Sequence, residues 1–214
     1  AGTCVGRPVA PNQVRIIAID DAPIAHWSAV VELPAGEVGE ITVAGPTTTD
    51  SYFNREAATI AAKIVEVRAD GGEQVVHRMG DVGYFDAEGR LWFCGRKTQR
   101  VQAADRALYT EQVEPVFNAH PQVRRTALVG MGVPGAQRPV LCVELAAGVD
   151  AGQFQRIQGE LRTLAAAHAH TAPVATFLRH PGFPVDIRHN AKIGREKLAA
   201  WAGAALSAGS GGAA

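Results

Sequence analysis

Three side chains stand out for the chemistry their settings allow. Asp81 follows Gly80 in the stretch HRMGDVGYFDAEGRLWFCGRKTQRV (77–101), as part of a Gly-flanked turn, and Gly95-Arg96 closes the short hairpin behind it. An ionised carboxylate accepts hydrogen bonds and donates none, so its two oxygens can take both hydroxyls of a ribose. A guanidinium offers a rigid fork of donors suited to ribose oxygens or phosphate. Far downstream, Lys192 sits in RHNAKIGREKL (188–198), the most cationic spot of the chain, with Arg188, His189, Arg195 and Lys197 around it. An ammonium on a flexible stem can bridge a carboxylate and a phosphate. Together the three suit a nucleotide and an activated acid. Each also has a plainer reading: Asp81 as a turn residue bonding its own backbone, Arg96 as half of a surface ion pair, Lys192 as one more solvated lysine.

Other stretches carry less. Gly45-Pro46-Thr47-Thr48-Thr49 has no following Gly-Lys-Ser/Thr and no nearby lysine, so it is not a phosphate-binding P-loop. His26, His168 and His170 have no metal-ligand spacing and read as structural or solvated; no metal site is expected. A Ser/His/Asp arrangement cannot be argued. The three cysteines, Cys4, Cys94 and Cys142, are far apart with no CxxC pair. They fit reduced, buried thiols in a cytoplasmic protein better than disulfides or zinc.

These groups must be held by two different kinds of element. Residues 1–96 read as a β-rich subdomain of short strands between turns: 13–19, 29–33, 39–45, 74–78 and 91–94, with a helix over 54–64 capped by Asn54. Residues 97–206 read as a small α+β domain. Its helices are 111–119, capped by Thr110, then 153–167, with Phe154, Ile157, Leu161 and Leu164 on one stripe, and 195–206. Its strands are 125–130, 140–145 and 174–178, and Lys192 falls in irregular chain before the last helix. Residues 207–214, SAGSGGAA, read as a flexible tail. The fold class expected is α+β.

Composition sets the outer bounds. With 47% hydrophobic residues among 214, the chain can bury a packed core, and 21 basic against 21 acidic residues leave no net charge. No basic stripe argues for nucleic acid. No apolar run approaches the roughly 18 residues of a membrane span, and no leader is visible at AGTCVGRPVAP. The chain opens on Ala in turn-and-strand material, which reads as a piece of a longer protein.

Taken in order, these segments resemble the carboxy-terminal part of an adenylate-forming enzyme, the superfamily of acyl-CoA synthetases, nonribosomal-peptide adenylation domains and luciferases. GEITVAGPTTTDSYFNREAAT (39–59) is similar to its sixth core motif, HRMGDVGYFDAEGRLWFCGR (77–96) to its seventh and the start of its eighth, and HNAKIGR (189–195) to its tenth. The resemblance covers nearly the whole chain apart from the tail, and three motifs in order are far more specific than one. It implies that 1–96 is the end of a large AMP-binding domain and 97–206 a lid domain. By position, Asp81 would bind the ribose hydroxyls, Arg96 would support the same ribose, and Lys192 would contact the substrate carboxylate and the α-phosphate. Thr98 falls at the hinge, where the family usually has Asp or Lys. ATP with Mg2+ and a small-molecule acyl substrate are implied, and other enzymes of the same pathway are possible partners.

The departures are specific. Gln102 stands where the eighth motif usually has Lys, Asp105 where it has Gly and Ala107 where it has Arg. That loop normally faces the thiol of the second half-reaction, so these substitutions put CoA transfer in doubt. LYTEQVEPVFNAHPQVRRTALVG (108–130) with RHNAKIGREKL looks most like the β-lactone synthetases of bacterial long-chain olefin synthesis, in which the substrate's own β-hydroxyl captures the activated acyl group. The expected function is ATP-dependent activation of a long-chain β-hydroxy acid followed by β-lactone closure. The alternatives are a fatty acyl-CoA ligase and a non-catalytic module binding nucleotide or a partner. The family's Ser/Thr/Gly-rich phosphate loop with its lysine does not occur in the chain, so these 214 residues alone should be inactive.

Overall fold

The computed structural model describes residues 1–186 and 189–210, without the side chains of 189–191 and 209–210. The chain divides into two compact units, Ala1–Thr98 and Gln99–Ala214.

The first unit is built on one antiparallel sheet. Its strands are β1 (Thr3–Gly6), β2 (Gln13–Ile17), β3 (Gly39–Ala44), β4 (Lys63–Val67), β5 (Glu73–Phe85) and β6 (Leu91–Arg96), with one helix, α1 (Glu56–Ala62). The order is β1-β6-β5-β3-β2, and β4 also pairs with β5. Ile17, Ala44, Ile64 and Val76 form its core, with Ile24, Trp27 and Val30 packed against them.

Several expected boundaries are corrected here. The helix over 54–64 shortens to α1, because Asn54 takes a left-handed φ of 51° and makes no cap. Lys63 and Ile64 turn extended and belong to β4, where Ile64 is fully buried. The strand over 29–33 reduces to a single bridge, Ile17 to Glu32, after a 3-10 turn at Trp27–Ala29. The stretch 74–78 lengthens into β5 and carries straight through Gly80-Asp81, so Asp81 lies in a strand and not in a turn. Cys4 is exposed, against the expectation of burial; Cys94 and Cys142 are buried, and none of the three is in a disulfide among the described residues.

The second unit alternates helix and strand. It contains β7 (Val101–Gln102), β8 (Ala107–Leu108), α2 (Thr110–Asn118), β9 (Val123–Met131), β10 (Arg138–Leu145), α3 (Phe154–Ala166), β11 (Thr176–Arg179), β12 (Val185–Asp186), β13 (His189–Ile193) and α4 (Arg195–Ser210). Its main sheet has β10 in the centre, antiparallel to β9 and parallel to β11. Alternate residues of a strand face opposite sides, and the core divides accordingly. Leu128, Leu141 and Val143 pack with Val113 and Phe117 of α2 and with Ile157 and Leu161 of α3. Ala127, Val129, Val140 and Cys142 pack with Leu198 and Ala202 of α4. β10 is therefore buried on both faces and reads as an almost continuous apolar run.

Two further expectations change. Thr110 is buried and starts α2 without capping it; Tyr109 is the cap residue, its side chain making no cap bond to the helix. The last helix continues through Ser210, so the start of the expected tail is helical; residues 211–214 lie outside the described residues. No helix among the described residues is long and apolar enough to cross a membrane.

Candidate functional site

In the first unit the sheet brings Asp81 and Arg96 face to face. They are register partners on β5 and β6, with Arg96 Nη1 3.0 Å from Asp81 Oδ1. A local irregularity sets up this arrangement. Glu40 pairs with Val82, whereas Thr42 pairs with Arg78, so β5 carries extra residues at Met79–Asp81 and bulges there. Bulges re-aim a side chain, and the bend requires the left-handed φ of +67° at Gly80, open to glycine at little steric cost. Gly95, with φ 126°, does the same for Arg96 on β6.

The electrostatics of the pair are asymmetric. The Arg96 side chain is 58% exposed and that of Asp81 21%. Asp81 Oδ1 is buried, and although Arg96 is close, no donor is aligned on it as a hydrogen bond. Burial pushes the Asp81 carboxyl above its ordinary value, against the opposing pull of Arg96. An ionised carboxylate in this setting can accept hydrogen bonds but donates none.

Sequence reading missed what lies beside this pair. A cleft of about 360 Å³ is lined by Tyr52, Arg55, Met79, Gly80, the buried pair Glu40 and Arg78, and the partly buried Lys97. Glu40 Oε2 accepts from Arg78 Nη2 at 2.7 Å and from Lys97 Nζ at 3.1 Å, while Arg78 also donates to the carbonyls of Asp20 and Ala22. The network ties the start of β3 to the segment leading into Gly80-Asp81. The signal was available: Glu40 stands in the GE of the first quoted motif and Arg78 two residues before Gly80.

The second unit carries Lys192 on β13, in a small antiparallel hairpin with β12 in which Val185 pairs with Ile193. This corrects the irregular chain expected there. Lys192 is exposed and lines a shallow cleft with Pro184, Asp186, Gly194 and Lys197. The cationic cluster expected around it is smaller, because Arg195 turns inward to Glu114, with contacts of 2.5 and 2.9 Å. Arg188 lies outside the described residues. Thr98 is exposed, in a short 3-10 turn over Lys97–Gln99 that ends the first unit. Of the departures in the eighth motif, Gln102 is tied to Gln137 through its amide at 2.8 Å, and Asp105 pairs with its neighbour Arg106 at 2.8 Å.

This geometry meets a clear set of relatives. The chain is 74% identical over 202 residues to an olefin β-lactone synthetase of Xanthomonas campestris, covering 94% of this chain and 36% of the relative. An olefin β-lactone synthetase of Stenotrophomonas maltophilia is 69% identical over 206 residues, covering 96% and 37%. Its fold matches the o-succinylbenzoate CoA synthetase of Bacillus subtilis with a TM-score of 0.64 at 26% identity, covering 91% of this chain and 35% of that one. By sequence and fold, the chain is similar to a C-terminal part of adenylate-forming enzymes. That Bacillus enzyme was solved with its acyl-adenylate intermediate and, separately, with ATP and a magnesium ion. No protein-family model matches the chain. The chain spans about a third of the length of the curated relatives it matches.

Proposed function

We propose that the chain is the C-terminal part of an ATP-dependent ligase that converts a long-chain β-hydroxy fatty acid to acyl-AMP and then closes it to a β-lactone. The observation that carries this reading is identity of 69–74% to olefin β-lactone synthetases across nearly the whole chain. The acid's carboxylate attacks the α-phosphorus of ATP and pyrophosphate leaves. The β-hydroxyl then attacks the acyl carbon, AMP leaves with the acyl C–O bond broken, and the hydroxyl proton passes to solvent.

In this reading Asp81 accepts the ribose hydroxyls, and its partly exposed carboxylate at the bulge of β5 supports that role. Arg96, beside it and more than half exposed, supports the same ribose. Lys192 brings positive charge between two anions that must meet, an electrostatic role. Its exposed position near the end of a hairpin leaves the ammonium reachable by a ligand. Thr98 serves as the hinge about which the lid moves between the half-reactions. Magnesium would accompany the triphosphate. Gln102, Asp105 and Ala107 favour capture by the substrate's own hydroxyl over transfer to CoA. The protein would work in the cytoplasm beside the enzymes that supply its β-hydroxy acid and consume its lactone.

The test uses the full-length protein in separate half-reactions: ATP plus acid for the first, synthetic acyl-AMP for the second. Lys192→Ala is expected to cut acyl-AMP formation by roughly 10²-fold or more and to spare capture of preformed acyl-AMP. Product analysis with and without CoA should give β-lactone in both cases. Equal losses in both half-reactions, or an acyl-CoA product, would overturn this assignment.

A further inference from the structure

The hairpin that carries Lys192 is short, with two residues in β12 and five in β13. A two-stranded ribbon of that size has little stability of its own. Its ends, however, are tied to the main sheet of the second unit by two buried carboxylates. On the entering side, the amide of Phe183 donates to Glu144 Oε2 at 2.8 Å, and Glu144 is only 4% exposed. On the leaving side, Arg195 forks onto Glu114 at 2.5 and 2.9 Å, and Glu114 in turn accepts the Leu128 amide of β9 at 2.8 Å. Between them the Gly194 amide donates to the Pro184 carbonyl at 2.7 Å and closes the loop. Lys192 stands three residues before Arg195.

We infer that the Arg195–Glu114 pair is a positioning device for Lys192, holding the base of its hairpin so that the ammonium meets its anions in one place. The argument rests on the role assigned to Lys192 above. The pair spends buried charge at a cost that a hydrophobic pair would avoid, which is weak evidence for stability alone. A bidentate fork fixes direction as well as distance. A charge on a mobile ribbon could sit anywhere within several ångströms, and a displacement of about 1 Å can cost on the order of 10²-fold in rate. Arg195 also opens α4, whose Leu198 and Ala202 are fully buried against the sheet, so the fork and the helix seat the hairpin together.

The test again uses the full-length protein, with Arg195→Lys and Glu114→Gln, each alone and combined with Lys192→Ala. Arg195→Lys keeps the charge and loses the fork; Glu114→Gln keeps the shape and loses the charge. Each single variant is expected to lower kcat for acyl-AMP formation by roughly 10-fold or more. KM for ATP should stay within about threefold, because the ribose contacts are untouched, and capture of preformed acyl-AMP should proceed at the parental rate. In the Lys192→Ala background neither change should cost anything further, because both act through that lysine. Losses that add to that of Lys192→Ala, equal losses in the two half-reactions, or no loss would each overturn the proposal while leaving the Lys192 assignment standing. Failure of both variants to fold would assign the pair to stability alone and overturn it too. A full-rate Lys192→Ala enzyme would instead remove the underlying assignment.

Discussion

At the scale of single residues, the role proposed for Asp81 is set against stability. Asp81 has its folded-state pKa raised by burial, with Arg96 opposing. The unfolded chain therefore releases this proton at lower pH than the folded one. Stability falls as pH rises from the ordinary carboxyl value through the raised one, and it stays reduced at neutral pH. Asp81→Asn is expected to leave the melting temperature at pH 7 unchanged or higher, since the pair with Arg96, whose guanidinium is more than half exposed, contributes at most about 1 kcal/mol. In the full-length protein the same change should raise KM for ATP by roughly 10- to 100-fold, the scale of a lost hydrogen bond to a charged group. A melting temperature that drops more at pH 7 than near pH 4 would contradict this account. His77 gives the opposite slope. Burial lowers its pKa, the neighbouring Lys63 lowers it further, and the Ala62 carbonyl and Glu40 oppose them. The unfolded chain protonates first as pH falls below about 6.5, so stability is lost over the interval from there down to the folded-state value. Measured as urea midpoints at about pH 7.5 and about pH 5.5, the acid loss should be smaller in His77→Gln than in the parent. Some slope will remain, because burial lowers His180 in the same direction.

At the scale of elements, what the sequence revealed depended on whether local pattern or distant partners decided the outcome. The stripe Phe154, Ile157, Leu161, Leu164 announces α3, and Ile157 and Leu161 are fully buried. β4 was hidden because Lys63 breaks its apolar pattern. That lysine is tolerated inside because it donates to Thr49 and lies over the Tyr52 ring, contacts set by residues well upstream. Gly80 reads locally as a terminator, yet it is the bulge that lets β5 run on, and only pairing with β3 reveals that. The Arg78–Glu40 pair was the least visible: arginine ordinarily reads as surface, and its partner lies on another strand. Removing one member of such a pair strands the other charge. Arg78→Met should therefore destabilise the first unit by roughly 3–5 kcal/mol, read as a shift in the denaturant midpoint. Arg90→Met, which breaks an ion pair with Asp86 at an exposed hairpin turn, should cost under about 1 kcal/mol. Comparable losses from the two would mean that Lys97 alone satisfies Glu40.

At the scale of the whole molecule, the motifs were legible because their order along the chain survives any uncertainty about element boundaries. Their separation along the chain was legible as well: Asp81 and Arg96 belong to one compact unit and Lys192 to the other. That division makes a prediction about the 214 residues on their own. The first unit holds the Asp81–Arg96 pair and the second the exposed ammonium of Lys192, but no Ser/Thr/Gly-rich loop with a lysine occurs anywhere in the sequence to hold a triphosphate. Catalysis of phosphoryl transfer is almost wholly positioning and charge stabilisation, so a ribose clamp without a phosphate cradle has nothing with which to orient the leaving pyrophosphate. The purified chain should therefore give no ATP–pyrophosphate exchange with any fatty acid. Any AMP binding should be weak and lost in Asp81→Asn, whereas Lys192→Ala should leave it unchanged. Exchange assays on the isolated chain beside the full-length protein, with calorimetry for AMP, measure all three quantities. Robust exchange by the isolated chain would mean that these 214 residues hold a complete site built on other side chains than those identified above.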